Sequence, residues 1–559
     1  MRTMNQIKLK PNAAAGPIEW TRACPIDRLR SKGQIAVKLE DRQVAVFLHD
    51  NEVLACDNRC PHEGYPLVEG SLDKDCALTC HWHNWRFDLK SGATLYGGDA
   101  LRIYPAQVLD GAVWLDLRDP PIEERIGQVL VHLDEAMDKL ETSRIARELA
   151  RLGTMGANPG IAVARAIQRS HVRLRDGMTH AYAATDVWLR LRDARTDPAQ
   201  RLTCASEGLS YIALDTLREC EYPFPNESAS WNAASFGDAV EERDERRATA
   251  LLNGALADGM HLGNLEFDLA GVALSHYNDF GHSLIYLQHI GSLIQRLGTD
   301  VERPLLLAWL RSLVLATRED LLPDFRGYAQ ALESWSMLPE ATGAAILADS
   351  FERRSVRETL AATVAARSGQ PLELYFALLE AAARHLLRFD TRHESRTDNP
   401  VGGDVGWLDF THALTFGHAL RLHCEHHPSL WPQGLLQLAM FVGRNAKYLD
   451  ESIGASQTLS QWKVADEHAF HERAARTILD HGMGQPIFPA HWLKTWTAVR
   501  DEIGLGVPHA TRAFLLAAVN RMLDARLKES HALRAAHQAL LFIGNNDPST
   551  MSQPSDAAS

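Results

Sequence analysis

Two thiols and two imidazoles lie close together near the start of the chain. Cys60-Pro61-His62 is followed, after seventeen residues, by Cys80-His81-Trp82-His83, a C-x-H-x17-C-x2-H pattern. Thiolate and imidazole in this combination ligate zinc or iron, and a four-ligand zinc site is the competing reading for any such set. On a [2Fe–2S] cluster, thiolates donate charge and hold the oxidised form, whereas neutral imidazoles donate less and penalise the reduced form less. Exchanging two Cys for two His lifts the potential to roughly −150 to +300 mV, from about −400 mV for an all-Cys plant-type cluster. The chemistry such a set supports is the handling of single electrons.

The flanks select between the two readings. Asn58-Arg59-Cys60-Pro61-His62-Glu63-Gly64 and Cys80-His81-Trp82-His83-Asn84-Trp85-Arg86-Phe87-Asp88 resemble the two cluster loops of the Rieske family, and Ser91-Gly92-Ala93 matches the turn after its second loop. The resemblance covers residues 1–119 and implies a [2Fe–2S] cluster on Cys60, His62, Cys80 and His83. His81 and Asn84 stand where many members have Pro and Gly, positions that tune the cluster's surroundings rather than ligate it. Tyr65 stands where the respiratory branch has a disulfide Cys. The pattern is therefore similar to the ferredoxin and oxygenase branch, which implies a potential at the lower end of the range.

The elements that must position these loops read as short strands. Gln34–Leu39, Gln43–Leu48 and Ala112–Leu117 are β-rich runs, and Asp119-Pro120-Pro121 punctuates the chain after them. From Glu123 to Leu152 the apolar residues fall at three- and four-residue spacing, the stripe of an amphipathic helix, and most of the chain to Ile543 continues so. The fold class expected is multidomain: a small all-β Rieske domain at 1–119, then a large, mostly α-helical domain at 120–545. A disordered tail is expected at 546–559.

The 559 residues suit two or more domains, and 45% hydrophobic content is ordinary for a globular protein. A net charge of −13 without Lys/Arg blocks argues against a nucleic-acid partner. The longest apolar run, Pro304–Leu310, is broken by Arg311, so no membrane span is expected. Met1–Lys10 has neither an apolar stretch nor twin Arg, which points to the cytoplasm. Cys24, Cys56, Cys76, Cys204, Cys220 and Cys424 are expected as reduced, mostly buried thiols.

In the helical part, histidine concentrates in Ser275–His289, in Trp407–His418 and around His468 and His471. Two strings share Asp-Phe-x-His: Asp279/His282 and Asp409/His412. On a helix, i and i+3 share a face, and di-iron bundles use carboxylate-x-x-His pairs in this way. His282 and His289 share a face, whereas His412 and His418, six apart, do not. Taken singly, each pair is more often a capping or surface pair, and Asp409 could cap a helix. An electron carrier needs an acceptor, yet the chain shows no dinucleotide-binding fingerprint and no CxxCH haem site. Imidazole with carboxylate suits non-haem iron. His276, Asp279, His282, Asp409, His412 and His418 are the residues expected to line such a pocket.

His276–Gly298 and Trp407–Arg421 also resemble segments of the questin oxidase-like family, notably at His282, His412 and His418. That resemblance implies Baeyer–Villiger-type oxygenation and ring cleavage of polyketide quinones, in a pocket that need hold no metal. The leading expectation is an oxygenase whose cluster, fed by an external reductase or ferredoxin, supplies a His-rich pocket acting on a small organic substrate. Analogy with conventional Rieske oxygenases leaves room for a homo-oligomer. The rival is an electron-transfer or redox-sensing protein whose helical part docks a partner.

Overall fold

A computed structural model describes residues 19–337, 347–397, 404–525, 527 and 532–544. The tail expected at 546–559 lies outside the described residues. The chain divides into two compact units, Met1–Ala162 and Val163–Ser559. The change from strands to helices falls between Asp116 and Ile122. The first compact unit runs further, taking in two helices beyond residue 119.

The first unit holds β1 (Trp20–Pro25), α1 (Ile26–Lys32), β2 (Gln34–Leu39), β3 (Arg42–His49) and β4 (Glu52–Asp57), then four short strands, β5 (Ser71–Leu72), β6 (Ala77–Thr79), β7 (Arg86–Asp88) and β8 (Thr94–Tyr96). It closes with β9 (Ile103–Tyr104), β10 (Ala106–Leu109), β11 (Ala112–Asp116), α2 (Ile122–Asp138) and α3 (Thr142–Thr154). Three antiparallel sheets result, ordered β1-β11-β10, β2-β3-β4-β9 and β5-β6-β7-β8. The β3–β4 hairpin turns through Asp50 and Asn51 at φ 47° and 65°. Two positive φ values in a two-residue turn match the right-handed twist of the flanking strands.

The single stripe expected over Glu123–Leu152 is two helices. Leu140, at φ 53°, breaks it between α2 and α3. Asp99, fully buried in the segment after β8, explains what the second helix is for. Its carboxylate takes the guanidinium groups of Arg144 at 3.3 Å, Arg147 at 2.9 Å and Arg151 at 2.8 Å, all on α3. A buried carboxylate is tolerable only when paired, and here three cations pair it.

The second unit is helical. At its heart, helices His180–Asp193, His282–Leu297, Trp407–His426 and Ile487–Leu505 each pack on two of the others, closing a ring. Trp407–His426 is buried on nearly every face, as a central helix must be. Trp188, Trp309, Trp407 and Trp496 are fully buried. Burying an indole removes roughly 150–250 Å² of surface from water, an upper bound of about 4–6 kcal/mol each. Among the described residues, no helix is long and apolar enough to cross a membrane. All eight cysteines are free. Of the six outside the cluster loops only Cys220 is exposed.

Candidate functional site

Two groups of side chains could do chemistry, one in each unit. In the first, the loop after β4 is folded by its own backbone. The Cys60 N–H donates to the Tyr65 carbonyl at 2.8 Å and the Gly64 N–H to the Cys60 carbonyl at 2.8 Å. Buried Asn58 accepts the Val68 N–H at 2.8 Å. The second loop repeats the device, with the Cys80 N–H donating to the Trp85 carbonyl at 2.8 Å. Asn84 sits at φ 58°. Asn tolerates the left-handed region better than other non-glycine residues, so it can serve where relatives carry Gly.

Both ligand thiols are buried, while His62 and His83 are partly exposed. The two imidazoles lie 4.8 Å apart, centroid to centroid, and His62 stacks on Trp85 at 4.4 Å. The Glu63 carboxylate lies 3.8 Å from a nitrogen of each imidazole and accepts the Trp82 indole N–H at 3.0 Å. Burial, with Cys80 alongside, pushes the Cys60 thiol up to about 11. A thiol so raised becomes a thiolate only beside compensating positive charge, which iron supplies. Buried sulfurs and paired outer imidazoles therefore fit a [2Fe–2S] group of mixed ligation.

In the second unit, the ring of four helices contributes one histidine from each member: His180, His282, His412 and His491. Ligand atoms of His180, His282 and His412 all lie within 4.8 Å of one another. His491 packs on His180 at 4.7 Å and on His412 at 5.1 Å between centroids. The hydrogen bonds decide how the rings are used. His412 Nδ1–H donates to the Leu408 carbonyl and His491 Nδ1–H to the Ile487 carbonyl, both at 2.7 Å. His282 Nδ1 faces Asp279 at 3.4 Å. The two carbonyls fix the tautomers of His412 and His491 and leave their Nε2 lone pairs unused, whereas His282 Nδ1 is buried without a hydrogen-bond partner. His282 Nε2 and His412 Nε2 then meet at 2.9 Å, and His491 Nε2 is buried without a partner. Two ring nitrogens at that distance share either a proton or a cation.

Burial, reinforced by Lys494 and the other imidazoles, holds His180 and His412 well below the usual histidine range, and burial with Lys494 does the same for His491. Burial also brings Lys494, which lies 3.2 Å from His180 Nδ1, down to about 7. The pocket is thus built for neutral donors, the form in which imidazole binds metal. A chamber of about 590 Å³ lies alongside, lined in part by Thr179, Asp215, Asp279, Ser312 and Thr317. Asp279 belongs both to the chamber wall and to the His282 contact.

Among known proteins, the family model for the Rieske [2Fe-2S] domain matches residues 19–102. The ferredoxin component of the alkene monooxygenase system of Xanthobacter autotrophicus is 30% identical over 114 residues, 20% of this chain and 93% of that protein. The chain belongs to the Rieske [2Fe–2S] family. The ferredoxin subunit of 3-phenylpropionate/cinnamic acid dioxygenase from Photorhabdus laumondii is 30% identical over 98 residues, 17% of this chain and 92% of that one. The methylxanthine N1-demethylase NdmA of Pseudomonas putida is 28% identical over 127 residues, 22% of this chain and 34% of its own. The Rieske relatives thus include both ferredoxins and terminal enzymes of oxidative systems, and an oxidoreductase kind follows at that coarse level.

Of the four residues the Rieske resemblance assigns to the cluster, Cys60 and Cys80 share one buried core and His62 and His83 meet edge to face at 4.8 Å. Of the residues expected to line the helical pocket, the structure brings together His282 and His412, with Asp279 touching His282. It keeps three apart. His276 has both nitrogens on carboxylates, Asp320 at 3.0 Å and Glu241 at 2.6 Å. Asp409 caps its helix by accepting the Gly406 N–H at 2.8 Å and pairs with Arg444 at 2.8 Å. His418 pairs instead with Glu502 at 2.8 Å and Asp501 at 3.4 Å, further along the Ile487–Leu505 helix. Asp279 and His282 do not meet across a helical turn. A left-handed turn over Asp279–Gly281 precedes the helix that His282 starts. His180, His491 and Lys494 escape sequence reasoning because each stands in a helix of mixed polar and apolar residues, with no repeated string to mark it.

Proposed function

We propose that this Rieske protein is an oxygenase whose first unit supplies electrons and whose second unit oxidises a small organic substrate at the four-histidine pocket. The observation that carries the reading is the convergence of buried ligand atoms of His180, His282 and His412, with His412 Nδ1 already engaged by the Leu408 carbonyl. A [2Fe–2S] cluster, held by Cys60, His62, Cys80 and His83, would supply single electrons, drawn from an external reductase or ferredoxin. A non-haem iron, held by His180, His282 and His412 with His491 beside them, would supply O2 activation. The chain's own residues orient and exclude. Leu408 and Ile487 carbonyls and Asp279 aim the imidazoles, and the bundle keeps bulk water off them. Burial raises Asp215 to about 6, against the Thr179 hydroxyl that donates to it at 2.6 Å. The chamber wall therefore offers carboxylate acceptors that would suit a hydroxylated substrate. The questin oxidase-like resemblance would make that substrate a quinone or its hydroquinone.

Total iron, measured beside the spin count of the reduced cluster, tests the proposal. Three irons per chain are expected, with one surviving in Cys60→Ser and lost in the His282→Ala/His412→Ala double variant. Only two irons, both lost in Cys60→Ser, would remove the metal from the pocket. Substrate-dependent O2 uptake by that two-iron protein would then identify a metal-free oxygenase, and its absence an electron carrier.

A further inference from the structure

The turn that delivers His282 is strained, and its support runs on to His412. Asp279, Phe280 and Gly281 have φ of 41°, 51° and 72° in succession. For the two non-glycine residues this is strained backbone. Such conformations persist only where the surroundings over-determine them, and they gather at functional sites. Here the surroundings can be named. The Asp279 N–H donates to the Thr317 carbonyl at 2.9 Å and the Asp320 N–H to the Tyr277 carbonyl at 3.1 Å, pinning both strands of the turn. Between them the Phe280 N–H donates to both carboxyl oxygens of buried Glu319, at 3.1 and 3.2 Å. The Phe280 ring then lies between two groups. His412 is 5.6 Å away, centroid to centroid, and the Arg444 guanidinium is 4.5 Å from the ring centre. Arg444 donates to Asp409 at 2.8 Å, and Asp409 caps the helix on which His412 sits one turn later.

We infer that Glu319, Phe280, Arg444 and Asp409 form a positioning chain, anchored on buried Glu319, that locks the left-handed turn against the start of the Trp407–His426 helix, so that His282 and His412 present their Nε2 atoms to one site. None of the four touches the proposed ion; they act through the two imidazoles. The inference rests on the pocket reading above for what the pair is used for, but not for the coupling itself. It gives both Asp-Phe-x-His strings a role. The first supplies the strained turn and the second the cap to which that turn is tied.

The test uses the full chain with its cluster intact, whose EPR signal reports on folding of the first unit. Glu319→Leu removes the acceptor from Phe280 N–H. Glu319→Gln keeps an acceptor oxygen there and imitates the neutral acid, the form burial favours by lifting this carboxyl to about 8. Arg444→Met keeps bulk and removes the link to Asp409. Ferrous affinity of the second unit is measured by chelator competition. Glu319→Leu should weaken it about 10–100-fold, the usual cost of losing an outer partner of a metal ligand, with Glu319→Gln close to the parent. Amide exchange of peptides 278–283 and 406–413 should quicken together in Glu319→Leu and in Arg444→Met. Unchanged ferrous affinity in Glu319→Leu, or equal loss in the Leu and Gln variants, overturns the inference. So does faster exchange confined to 278–283. If the parent binds no ferrous ion beyond its cluster, the metal reading fails on its own, and the paired exchange result alone decides for or against the chain.

Discussion

Gly281→Ala is the most informative single change to the four-histidine pocket. Gly281 immediately precedes His282 and has φ 72°. Giving it a Cβ incurs about 1–2 kcal/mol for the left-handed backbone alone. The Cβ would also lie 2.6 Å from Cδ2 of Phe416 and 3.2 Å from Cζ of Phe441. Both rings are fully buried, so neither can swing into solvent. Overpacking of this kind adds roughly 1–3 kcal/mol. The total is about 2–5 kcal/mol, and the cheapest relief is for the turn to retreat from Phe416, which carries His282 away from its 2.9 Å approach to His412. The control is Gly259→Ala. There φ is 82° but nothing lies within 4 Å of the added carbon, so only the backbone cost applies. Calorimetry of the full chain should show the transition of the second unit falling on the order of 5 °C in Gly281→Ala and by clearly less in Gly259→Ala. Ferrous binding should weaken in Gly281→Ala alone. Equal losses of stability in the two variants would refute the steric argument. Full ferrous affinity in Gly281→Ala would refute the claim that the turn sets His282.

Two further perturbations test the two units separately. Asp99→Asn leaves Arg144, Arg147 and Arg151 facing a neutral amide. Breaking a buried pair costs about 3–5 kcal/mol, and the part exposure of Arg147 and Arg151 places this one at about 3. Urea unfolding followed by the cluster's visible circular dichroism should register that loss, and a midpoint equal to the parent's would contradict it. In the second unit, burial holds His385 down to about 4, against 6.5 in the open chain. The folded state therefore stays neutral while the unfolded chain takes up the proton, so stability is full above pH 6.5 and falls as pH drops towards 4. The difference is worth about 3 kcal/mol at the acid end. His385→Gln should flatten the fall in melting temperature between pH 7.5 and 4.5 relative to the parent; an unchanged slope would show that His385 does not contribute to it.

The Rieske loops were legible in the sequence because their chemistry is local. Cys60 and His62, and Cys80 and His83, are set by turns whose hydrogen bonds close within five residues. The second pocket is not local. His180, His282, His412 and His491 are spread over more than three hundred residues and meet only because four helices close a ring. Helical periodicity marks each helix as apolar but is silent on which neighbours it finds. The paired Asp-Phe-x-His strings did point to His282 and His412, although the first pair does not meet on a helix face and the second carboxylate takes the capping role that its place allowed. Asp279 reaches its histidine through a left-handed turn, and Asp409 is spent on a cap and on Arg444. The long stripe over 123–152 misled in the same way, because hydrophobic spacing continues through Leu140 while the backbone does not.

The charge of the second pocket bears on how the two units could work together. A centre with two histidines and a carboxylate neutralises part of an ion's charge at first contact. The present pocket offers imidazoles held neutral by burial, with Lys494 at about 7 beside them. Asp279 reaches the group only through His282 Nδ1, at 3.4 Å. In a low-dielectric interior every uncompensated positive charge is expensive, so such a donor set favours the less positive oxidation state of whatever ion it holds. A carboxylate-poor site would therefore have a higher potential than a carboxylate-ligated one. A cluster potential at the lower end of the Rieske range, as the sequence resemblance implies, would make electron flow from cluster to pocket downhill. The same set of donors that makes the pocket hard to find from sequence, neutral side chains scattered one to a helix, is what would let it accept the electrons that Cys60, His62, Cys80 and His83 are built to deliver.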